Sequence, residues 1–335
     1  MTDFILPPDL IASEAQWQII DNTAVFSSAM SGAVRTYSRP GNRWGCRLVF
    51  RNTNGTKRHR LLALIAALRG RSNRIWITDP AYTQAGSLAA PELLTNNAAV
   101  AATTGWTSSN AELALSADSH LGLRLTRTGV TADRYAYQAA FTTVSSAPYA
   151  IRGLVGAGKG AVNMKLAAGT SQGATGLLNG TPRTTAGRIV ETFTASGAST
   201  HASFHDLIAG RAAGDFQFLT HASVARCGLV AGGSQTGASL AVDGLPVSSA
   251  GLLRAGDWIE VNGELKRLVA DLNTDAAGAG TMLIEPPLRN SPADNAPVVV
   301  RTPMGRFLLS DESVGWSTSP GTFSTIELSL IEDVA

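Results

Sequence analysis

Four aromatic residues are the sequence's best candidates for contact with a small ligand. They are Trp106, Tyr135, Tyr137 and Tyr149. An exposed aromatic ring offers a flat apolar face that can stack on the apolar patch of a pyranose sugar. Tyr135 and Tyr137 are also spaced as the core of a β-sandwich requires, so core packing explains them at least as well. Trp106 follows a turn-like Thr-Thr-Gly and is expected at the edge of its domain.

A second feature is the basic stretch between Asp21 and Asp79, which contains eleven arginine and lysine residues and no acidic residue. Eight of them form the predicted interface segment: Arg35, Arg39, Arg43, Arg47, Arg51, Lys57, Arg58 and Arg60. Contact with passing DNA is one explanation, because such side chains bind phosphates without regard to sequence. The favoured explanation is pairing across subunit interfaces or with acidic neighbours. The candidate acidic partners in the last block are Asp257, Glu260, Glu264 and Asp271.

Other chemical patterns have weaker support. The glycine-rich Val155–Gly160 lacks the Ser or Thr that completes a phosphate-binding loop, so a hairpin turn is favoured. His201 and His205 would share a face of a helix, but the residues between them suit a strand equally well, and no metal site is predicted.

Catalytic patterns are equally weak. Paired carboxylates would suit glycoside hydrolysis, but Asp206, Asp215, Asp243 and Asp257 are scattered among turns and strand starts. No Gly-x-Ser-x-Gly elbow is present in the sequence. We therefore predict no catalytic residue, no cofactor and no enzymatic activity.

The elements that must position these residues are mainly strands. Trp44, Cys46, Leu48 and Phe50 alternate with arginines on a half-buried strand. Residues 60–68 then place Leu61, Leu64, Ile65 and Leu68 on one face of an amphipathic helix, with Gly70 as its C-terminal cap. Strand character resumes at residues 74–78.

The later parts of the chain are also strand-rich. From about residue 91, short apolar runs separated by Gly, Ser and Thr predict an antiparallel sandwich that ends near residue 227. Further strands follow to the end of the chain. Among them, Asn262-Gly263 predicts a two-residue hairpin turn.

Length and composition set broad limits. The chain has 335 residues, which predicts more than one hydrophobic core. The net charge of +2 gives no global attraction to nucleic acid or membranes. The only two cysteines, Cys46 and Cys227, are expected to be ordinary buried residues.

The first residues do not form a secretory signal, and no apolar run is long enough for a membrane span, so a soluble protein made in the cytoplasm is expected.

Two parts of the chain resemble the distal tail proteins of siphophages. The first part comprises Ala33–Tyr37, Arg43–Phe50, the helix and Arg74–Asp79. The second comprises LLRAGDWIEV (252–261), LIEPPLR (283–289) and TPMGRF (302–307). In the middle block, LLTN (93–96) followed by Thr104-Gly105-Trp106 resembles the start of carbohydrate-binding modules fused into phage tail proteins.

This resemblance implies a virion structural protein at the distal end of the tail. It implies a homohexameric ring that joins the tail tube to the tip or baseplate, with tail tube and tip or hub proteins as partners. DNA would contact the ring only in passage, host-surface glycans are possible ligands, and no membrane insertion is implied. The alternatives are a host-attachment protein whose main activity is glycan binding and a tail-associated glycan hydrolase.

The predicted fold is mainly β. Residues 1–90 and 228–335 are predicted to form one discontinuous ring-forming domain with a single helix. Residues 91–227 are predicted to form an inserted, jelly-roll-like antiparallel sandwich whose ends lie close together. The amino-terminal block has too few strands to bury its own apolar faces, so we expect the strand near residues 324–331 to complete its core.

Overall fold

The computed structural model describes residues 3–7, 10–37, 39, 41–96, 101–118, 121–129, 133–207, 212–311, 314–319 and 323–333. Of the described residues, 49% lie in strands and 5% in a helix, so the protein is mainly β. This confirms the fold class predicted from the sequence. Within the described residues, no helix is both long and apolar enough to cross a membrane.

The elements are as follows. The first part contains β1 (Asp3–Ile5), β2 (Glu14–Ile20), β3 (Ala24–Ser27), β4 (Val34–Tyr37), β5 (Arg43–Thr53), α1 (Gly55–Leu68) and β6 (Arg74–Ile77). The middle part contains β7 (Thr107–Ser108), β8 (Leu113–Asp118), β9 (Gly122–Arg127), β10 (Arg134–Tyr137), β11 (Phe141–Thr142), β12 (Pro148–Lys159), β13 (Met164–Gly169), β14 (Leu178–Asn179), β15 (Gly187–Thr194), β16 (Ser199–Asp206) and β17 (Phe216–Arg226). The last part contains β18 (Gly228–Val230), β19 (Gly237–Asp243), β20 (Trp258–Val261), β21 (Glu264–Leu268), β22 (Gly280–Leu288), β23 (Pro297–Val299), β24 (Gly305–Leu309), β25 (Trp316–Ser319) and β26 (Phe323–Glu332).

Both ends of the chain contribute to one seven-stranded sheet. Its strand order is β1-β6-β24-β26-β5-β2, and β25 also pairs with β26. β26 pairs antiparallel with β5, placing Leu328 opposite Leu48 and Leu330 opposite Cys46. These side chains belong to one hydrophobic core with Phe50 and Ile326. The predicted pairing of the last strand with the amino-terminal core is therefore confirmed.

The helix covers this sheet with Leu61, Leu64 and Leu68, and Ile65 packs at the margin of the same core. It begins at Gly55, five residues before the predicted start, because its first turn is polar and lacks the apolar spacing on which the prediction depended. Arg69 is the left-handed residue directly after the helix, and the predicted cap Gly70 is left-handed as well.

Residues 228–300 form a closed six-stranded barrel, which the sequence did not separate from the terminal block. Its strand order is β18-β19-β22-β21-β20-β23. The barrel has its own core, which includes Val242, Val261 and Ile284. Asn262 and Gly263 connect β20 to β21, both with positive φ (51° and 78°), as a two-residue hairpin turn of the predicted kind requires.

Tryptophan packing joins the barrel to the seven-stranded sheet. Trp258 of β20 lies in the core of the sheet, and its ring centroid is 4.5 Å from that of Trp44. The Trp44 indole nitrogen donates to the Leu265 carbonyl over 3.0 Å. Glu332 accepts the backbone N–H groups of both Trp44 and Leu265, which ties β5, β21 and β26 together.

The middle block forms the predicted antiparallel sandwich. Its two sheets have the orders β14-β13-β16-β10-β7, with β11 beside β16, and β15-β12-β17-β9-β8. Leu123 and Leu125 of β9 are buried in its core, whereas Leu121, which lies just before the strand begins, is exposed. The ends of the block are adjacent, since the Leu93 N–H donates to the Val224 carbonyl over 2.9 Å.

The glycine-rich segment lies in strand β12, so the hairpin turn expected at Val155–Gly160 is wrong for all but its last residue. Packing across the strand pair explains the glycines. A side chain at Gly158 would collide with the Phe216 ring and backbone of β17, whereas one at Gly156 would make only ordinary contact with Phe218. Gly158 therefore makes room for an aromatic ring, and the segment does not form a phosphate-binding loop.

Candidate functional site

The sandwich contacts the rest of the protein through its five-stranded sheet. On β12, Ala150 packs with Cys227 and Val299, and Leu154 packs with Trp76 and Met304. These contacts use the outer face of the five-stranded sheet. The outer face of the six-stranded sheet does not take part in them.

Buried arginines strengthen the contact between the sandwich and its neighbours. Arg152 donates to the carbonyl oxygens of Arg301 and Thr302. Arg188 forms a two-pronged ion pair with Glu260 of β20, with its Nη2 2.7 Å from Oε2, and both side chains are buried. Such a pair holds two elements in one orientation, so we assign it a structural role.

The outer face of the six-stranded sheet carries aromatic and polar side chains. Ala136 of β10 points into the core, so Tyr135 and Tyr137 on either side of it point outward, and both are partly exposed. Their ring centroids are 5.8 Å apart. On the neighbouring β16, Ala202 and Phe204 point inward, which places His201, Ser203 and His205 on the outer face. We call these five outward residues the outer polar face.

A hydrogen-bonded chain holds His205 in place. The Asp133 carboxylate lies 2.5 Å from His205 Nδ1, and the Ser203 hydroxyl lies 3.0 Å from His205 Nε2. Burial lowers the pKa of His205, while Asp133 acts in the opposite direction. The imidazole is therefore locked at both nitrogens.

The order of these groups is that of a serine–histidine–aspartate triad. A nucleophile must reach its substrate, but only 1% of Ser203 is exposed. Ser203 also lies mid-strand between β10 and β13, whose ladders engage the backbone on both sides. We therefore interpret the hydrogen bonds from Asp133 and Ser203 as contacts that position the His205 ring.

Tyr135 is fixed on two sides. Its ring stacks on His205 with centroids 4.8 Å apart. The loop between β13 and β14 approaches the hydroxyl end of the ring, where a side chain at Gly173, with φ +70°, would collide with it. Tyr135 is therefore held by packing before any ligand arrives.

His201 adds an unsatisfied group to the same face. It lies two residues before Ser203, which is opposite Tyr137, so it is the diagonal neighbour of that tyrosine. Its Nδ1 is buried and has no hydrogen-bond partner in the part of the chain that the structure describes. A buried polar atom gains from any ligand that supplies the missing hydrogen bond.

The other two predicted aromatic residues belong to the core, so their assignment to a sugar site is corrected. Only 7% of Trp106 is exposed; its ring packs edge-on against Phe204, and its indole nitrogen donates to the Asn96 carbonyl. Tyr149 is buried and stacks on Phe193. Trp106 does follow a turn, but its side chain points into the core of the sandwich, beside Phe204 of β16.

The basic segment is spread over three elements. Arg47 pairs with Glu327 and Arg51 with Glu14, both within the chain. Arg35 and Arg39 are exposed at the β3–β4 hairpin, Arg43 begins β5, and Lys57, Arg58 and Arg60 lie on α1. No ion pair to Arg35 or Arg39 forms among the described residues.

The acidic residues proposed as interface partners mostly act inside the chain, which corrects that part of the prediction. Asp257 accepts the N–H groups of Ala85, Gly86 and Arg254. Glu260 pairs with Arg188, Glu264 with Lys266, and Asp271 with Arg254. Two of the carboxylates weighed for hydrolysis are also engaged, Asp206 with Arg127 and Asp215 with Lys159.

Sequence patterns alone did not single out Asp133, Ser203 or the role of His205. The alternation His-Ala-Ser-Phe-His at 201–205 would have placed the two histidines and the serine on one strand face. Nothing in the sequence indicates that Asp133 reaches His205, because that contact depends on the pairing of β10 with β16.

Comparisons with known proteins add little. No protein-family model matches the chain. No curated protein matches it either.

Solved structures give partial likenesses. An arabinose-bound α-L-arabinofuranosidase, MgGH51, is similar at 16% identity over 46% of this chain and 31% of its own, with a TM-score of 0.34. The CBM22-1 xylan-binding domain of Xyn10C from Paenibacillus barcinonensis is similar at 15% identity, over 43% of this chain and 97% of its own, with a TM-score of 0.29. The CBM22-1–CBM22-2 tandem of Xyn10C covers 74% of this chain and 100% of its own at 12% identity, with a TM-score of 0.26. Likenesses at these TM-scores carry no argument about function.

Proposed function

We propose that the sandwich binds a glycan on its outer polar face. The observation that carries this proposal is the pair Tyr135 and Tyr137, which lie side by side outside the core on the sheet that is not used for docking. A tyrosine ring supplies an apolar face for a pyranose, and its hydroxyl supplies a hydrogen bond. His201 contributes a polar atom that lacks a partner among the described residues.

Preorganisation favours this face over a random surface patch. Tyr135 is held between His205 and the Gly173 loop, and His205 is held by Asp133 and Ser203. Side chains that are already ordered lose little conformational entropy when a ligand binds. In this proposal the activity is binding, without catalysis, cofactor or metal.

A glycan array with Tyr137→Ala tests this function. We expect the wild-type protein to bind a defined group of glycans and the variant to bind them at least about tenfold more weakly, because one stacking contact is lost. Leu121→Ala is the matched control, since Leu121 is an exposed apolar residue elsewhere on the sandwich. Absence of any glycan binding by the wild type, or equal binding by both variants, contradicts the proposal. Release of sugar products from a bound glycan would favour the hydrolase alternative.

The second candidate function is that of a structural subunit in a siphophage tail tip, at the distal end of the virion. The resemblance to siphophage distal tail proteins is its basis, and one structural observation favours it. The β3–β4 hairpin pairs with no other described strand and exposes several large apolar side chains. In this proposal the sheet built from both chain ends forms a ring with its copies, and the sandwich carries the glycan site. Co-purification with a tail tube protein, and a six-fold ring in negative-stain images, test this candidate.

A further inference from the structure

A cleft lies where the sandwich, the barrel and the seven-stranded sheet meet. Its larger part has a volume of about 520 Å³ and lies between the β14–β15 loop, the edge strand β15 and the β20–β21 hairpin. A smaller part of about 310 Å³ continues toward β1 and the carboxyl end of β26. Trp76, Arg183, Arg188, Asn262 and Gly263 line both parts, so the two form one cleft. Small ligands commonly bind in cavities of this size at the junctions of structural units.

Most of the charged groups that line this cleft belong to a balanced network of ion pairs. Every cation in the network has at least one carboxylate partner. The members are five cations and five carboxylates: Arg74, Arg188, Lys266, Arg289 and Arg306 with Asp3, Glu260, Glu264, Glu332 and Asp333. Their charges cancel, so the network alone gives the cleft no net attraction for an ion.

Arg183 adds a cation that this network does not neutralise. Its side chain forms no ion pair or hydrogen bond among the described residues, and its Nε is buried without a partner there. Glu191 also lines the cleft, and it accepts the Thr181 N–H. The Arg183 guanidinium packs at Gly187, and Glu191 lies four residues further along β15, about 13 Å away. Arg183 therefore presents an uncompensated positive charge to the cleft.

The position of Arg183 is constrained before any ligand binds. Its backbone exchanges two hydrogen bonds with Met164, over 2.7 and 3.0 Å. A side chain at Gly187 would come within 2.6 Å of Arg183 Nη2, so the glycine makes room for the guanidinium. A guanidinium matches the geometry of a carboxylate or phosphate, and a side chain that is already ordered loses little conformational entropy on binding.

We propose that this cleft binds a small ligand that carries a carboxylate or phosphate group. The anionic group pairs with Arg183, beside the exposed Asn262 of the β20–β21 hairpin. The body of the ligand lies against Val190 and Pro297, which contribute to an apolar wall of the larger part. This inference goes beyond both proposed functions, because the cleft lies apart from the outer polar face and needs no second copy of the chain.

Calorimetric titration of the full chain with three sugars of similar size tests the proposal. Glucuronate supplies a carboxylate, glucose 6-phosphate supplies a phosphate, and glucose supplies neither group. We expect at least one of the two anions to bind at concentrations up to about 10 mM and glucose not to bind, because the charged contact with Arg183 is essential. The stronger of the two anions identifies the preferred group. Absence of binding by both anions, or equal binding by glucose, overturns the proposal.

Arg183→Gln removes the charge and keeps a planar polar side chain. We expect it to weaken anion binding at least about tenfold, and to leave the thermal stability at the wild-type value because no carboxylate loses a partner. Arg51→Gln is the matched control, since Arg51 forms an exposed pair with Glu14 far from the cleft residues in sequence, and it should leave the affinity unchanged. An Arg183 variant that loses stability but keeps its affinity would assign this residue a structural role and overturn the proposal.

Asn262→Asp places a carboxylate in the cleft. Aspartate suits a turn position with positive φ, so the hairpin should be retained while anion binding is lost through repulsion and through pairing of the new carboxylate with Arg183. Asn52→Asp is the matched control, because Asn52 is also exposed with positive φ and does not line the cleft. Wild-type affinity in the Asn262 variant would contradict the proposed site.

Tyr137→Ala separates this inference from the glycan site. Tyr137 lies on the outer polar face, so the variant should keep its affinity for the anionic sugar. Anion binding that depends on Tyr137 and not on Arg183 would overturn this inference and leave the proposed glycan site standing. Anion binding that depends on Arg183, together with a negative glycan array, would support this inference and overturn the proposed glycan function.

Discussion

Trp106 fills the sandwich core beside Phe204, and its indole N–H is satisfied by the Asn96 carbonyl. Truncating a buried aromatic residue removes apolar contacts and leaves a cavity.

We expect Trp106→Ala to lower the free energy of unfolding of the sandwich by about 3–5 kcal/mol. Urea unfolding followed by circular dichroism measures this change. The exposed Leu121→Ala serves as control, and its effect should stay within about 0.5 kcal/mol. A Trp106 variant with wild-type stability and weaker glycan binding would restore the original assignment of this residue to the sugar site.

His221 is a residue whose environment opposes its charged form. It lies in β17 with φ of 49° and lines a small cavity together with Arg152, Arg188 and Glu92. Burial, reinforced by the Arg152 and Arg188 cations, lowers the pKa of His221 from its ordinary 6.5 to about 4. The folded protein therefore keeps this imidazole neutral in weak acid.

This shift predicts a pH dependence of stability. Between pH 6.5 and about 4 the unfolded chain binds a proton at His221 and the folded chain does not, so the free energy of unfolding should fall as the pH drops, by at most about 3 kcal/mol. Above pH 6.5 this residue contributes no slope. Urea unfolding at a series of pH values measures the effect.

His221→Asn should reduce that slope, since Asn does not titrate and tolerates a positive φ. His59→Asn, at an exposed position on α1, should keep it. Equal slopes in the two variants would show that His221 is not the group responsible.

At the scale of elements, the sandwich is held by contacts from β12 and β15. Arg188 of β15 reaches Glu260 of β20, and the Met304 N–H also donates to this carboxylate. Loss of one partner from a buried ion pair leaves the other charge without compensation.

Glu260→Gln should therefore destabilise the full chain by about 3–5 kcal/mol. Glu14→Gln is the matched control, because the Arg51–Glu14 pair is exposed and its loss should have no measurable effect. Thermal unfolding of the two variants beside the wild type makes the comparison. A Glu260 variant as stable as the Glu14 variant would show that this ion pair does not hold the elements together.

At the scale of the whole molecule, three cores are joined: the seven-stranded sheet with α1, the barrel and the sandwich. The central strands of the first sheet, β24 and β26, come from the far end of the chain and lie between β6 and β5. The segment between β6 and the sandwich is fixed to the barrel, since Asp257 binds the N–H groups of Ala85 and Gly86.

Replacing residues 91–227 with a short Gly/Ser linker should give a soluble protein that unfolds cooperatively, because the ends of the insert are adjacent. The shortened protein exposes the surface around Trp76 and Met304, so it should be less stable than the full chain. In this background Glu260→Gln should lose most of its effect, because Arg188 is absent.

A fragment of residues 1–90 should be insoluble or unfolded, because β5 and β6 then lack the strands that join them. Far-ultraviolet circular dichroism and light scattering of the fragment measure this. A stable, monomeric fold of residues 1–90 would contradict the discontinuous arrangement of the domain.

Local patterning was sufficient for the elements whose periodicity is strong. The alternation at Trp44–Phe50, the helical spacing of Leu61, Leu64 and Leu68, and the Asn262-Gly263 turn each appear in the structure. The mainly β class follows from the same patterns. Side-chain period and turn chemistry are properties of neighbouring residues, so the sequence contains them directly.

Tertiary structure alone decided the rest. Whether Tyr137 faces outward and Tyr149 inward depends on which sheet each strand joins, and the pairing of Asp133 with His205 depends on strand register. The barrel closes only because β18 meets β23 across nearly 70 residues. Arg47 and Arg51 find Glu327 and Glu14 from distant strands. These contacts arise from long-range pairing, and residue types alone do not determine which of many compatible partners a strand meets.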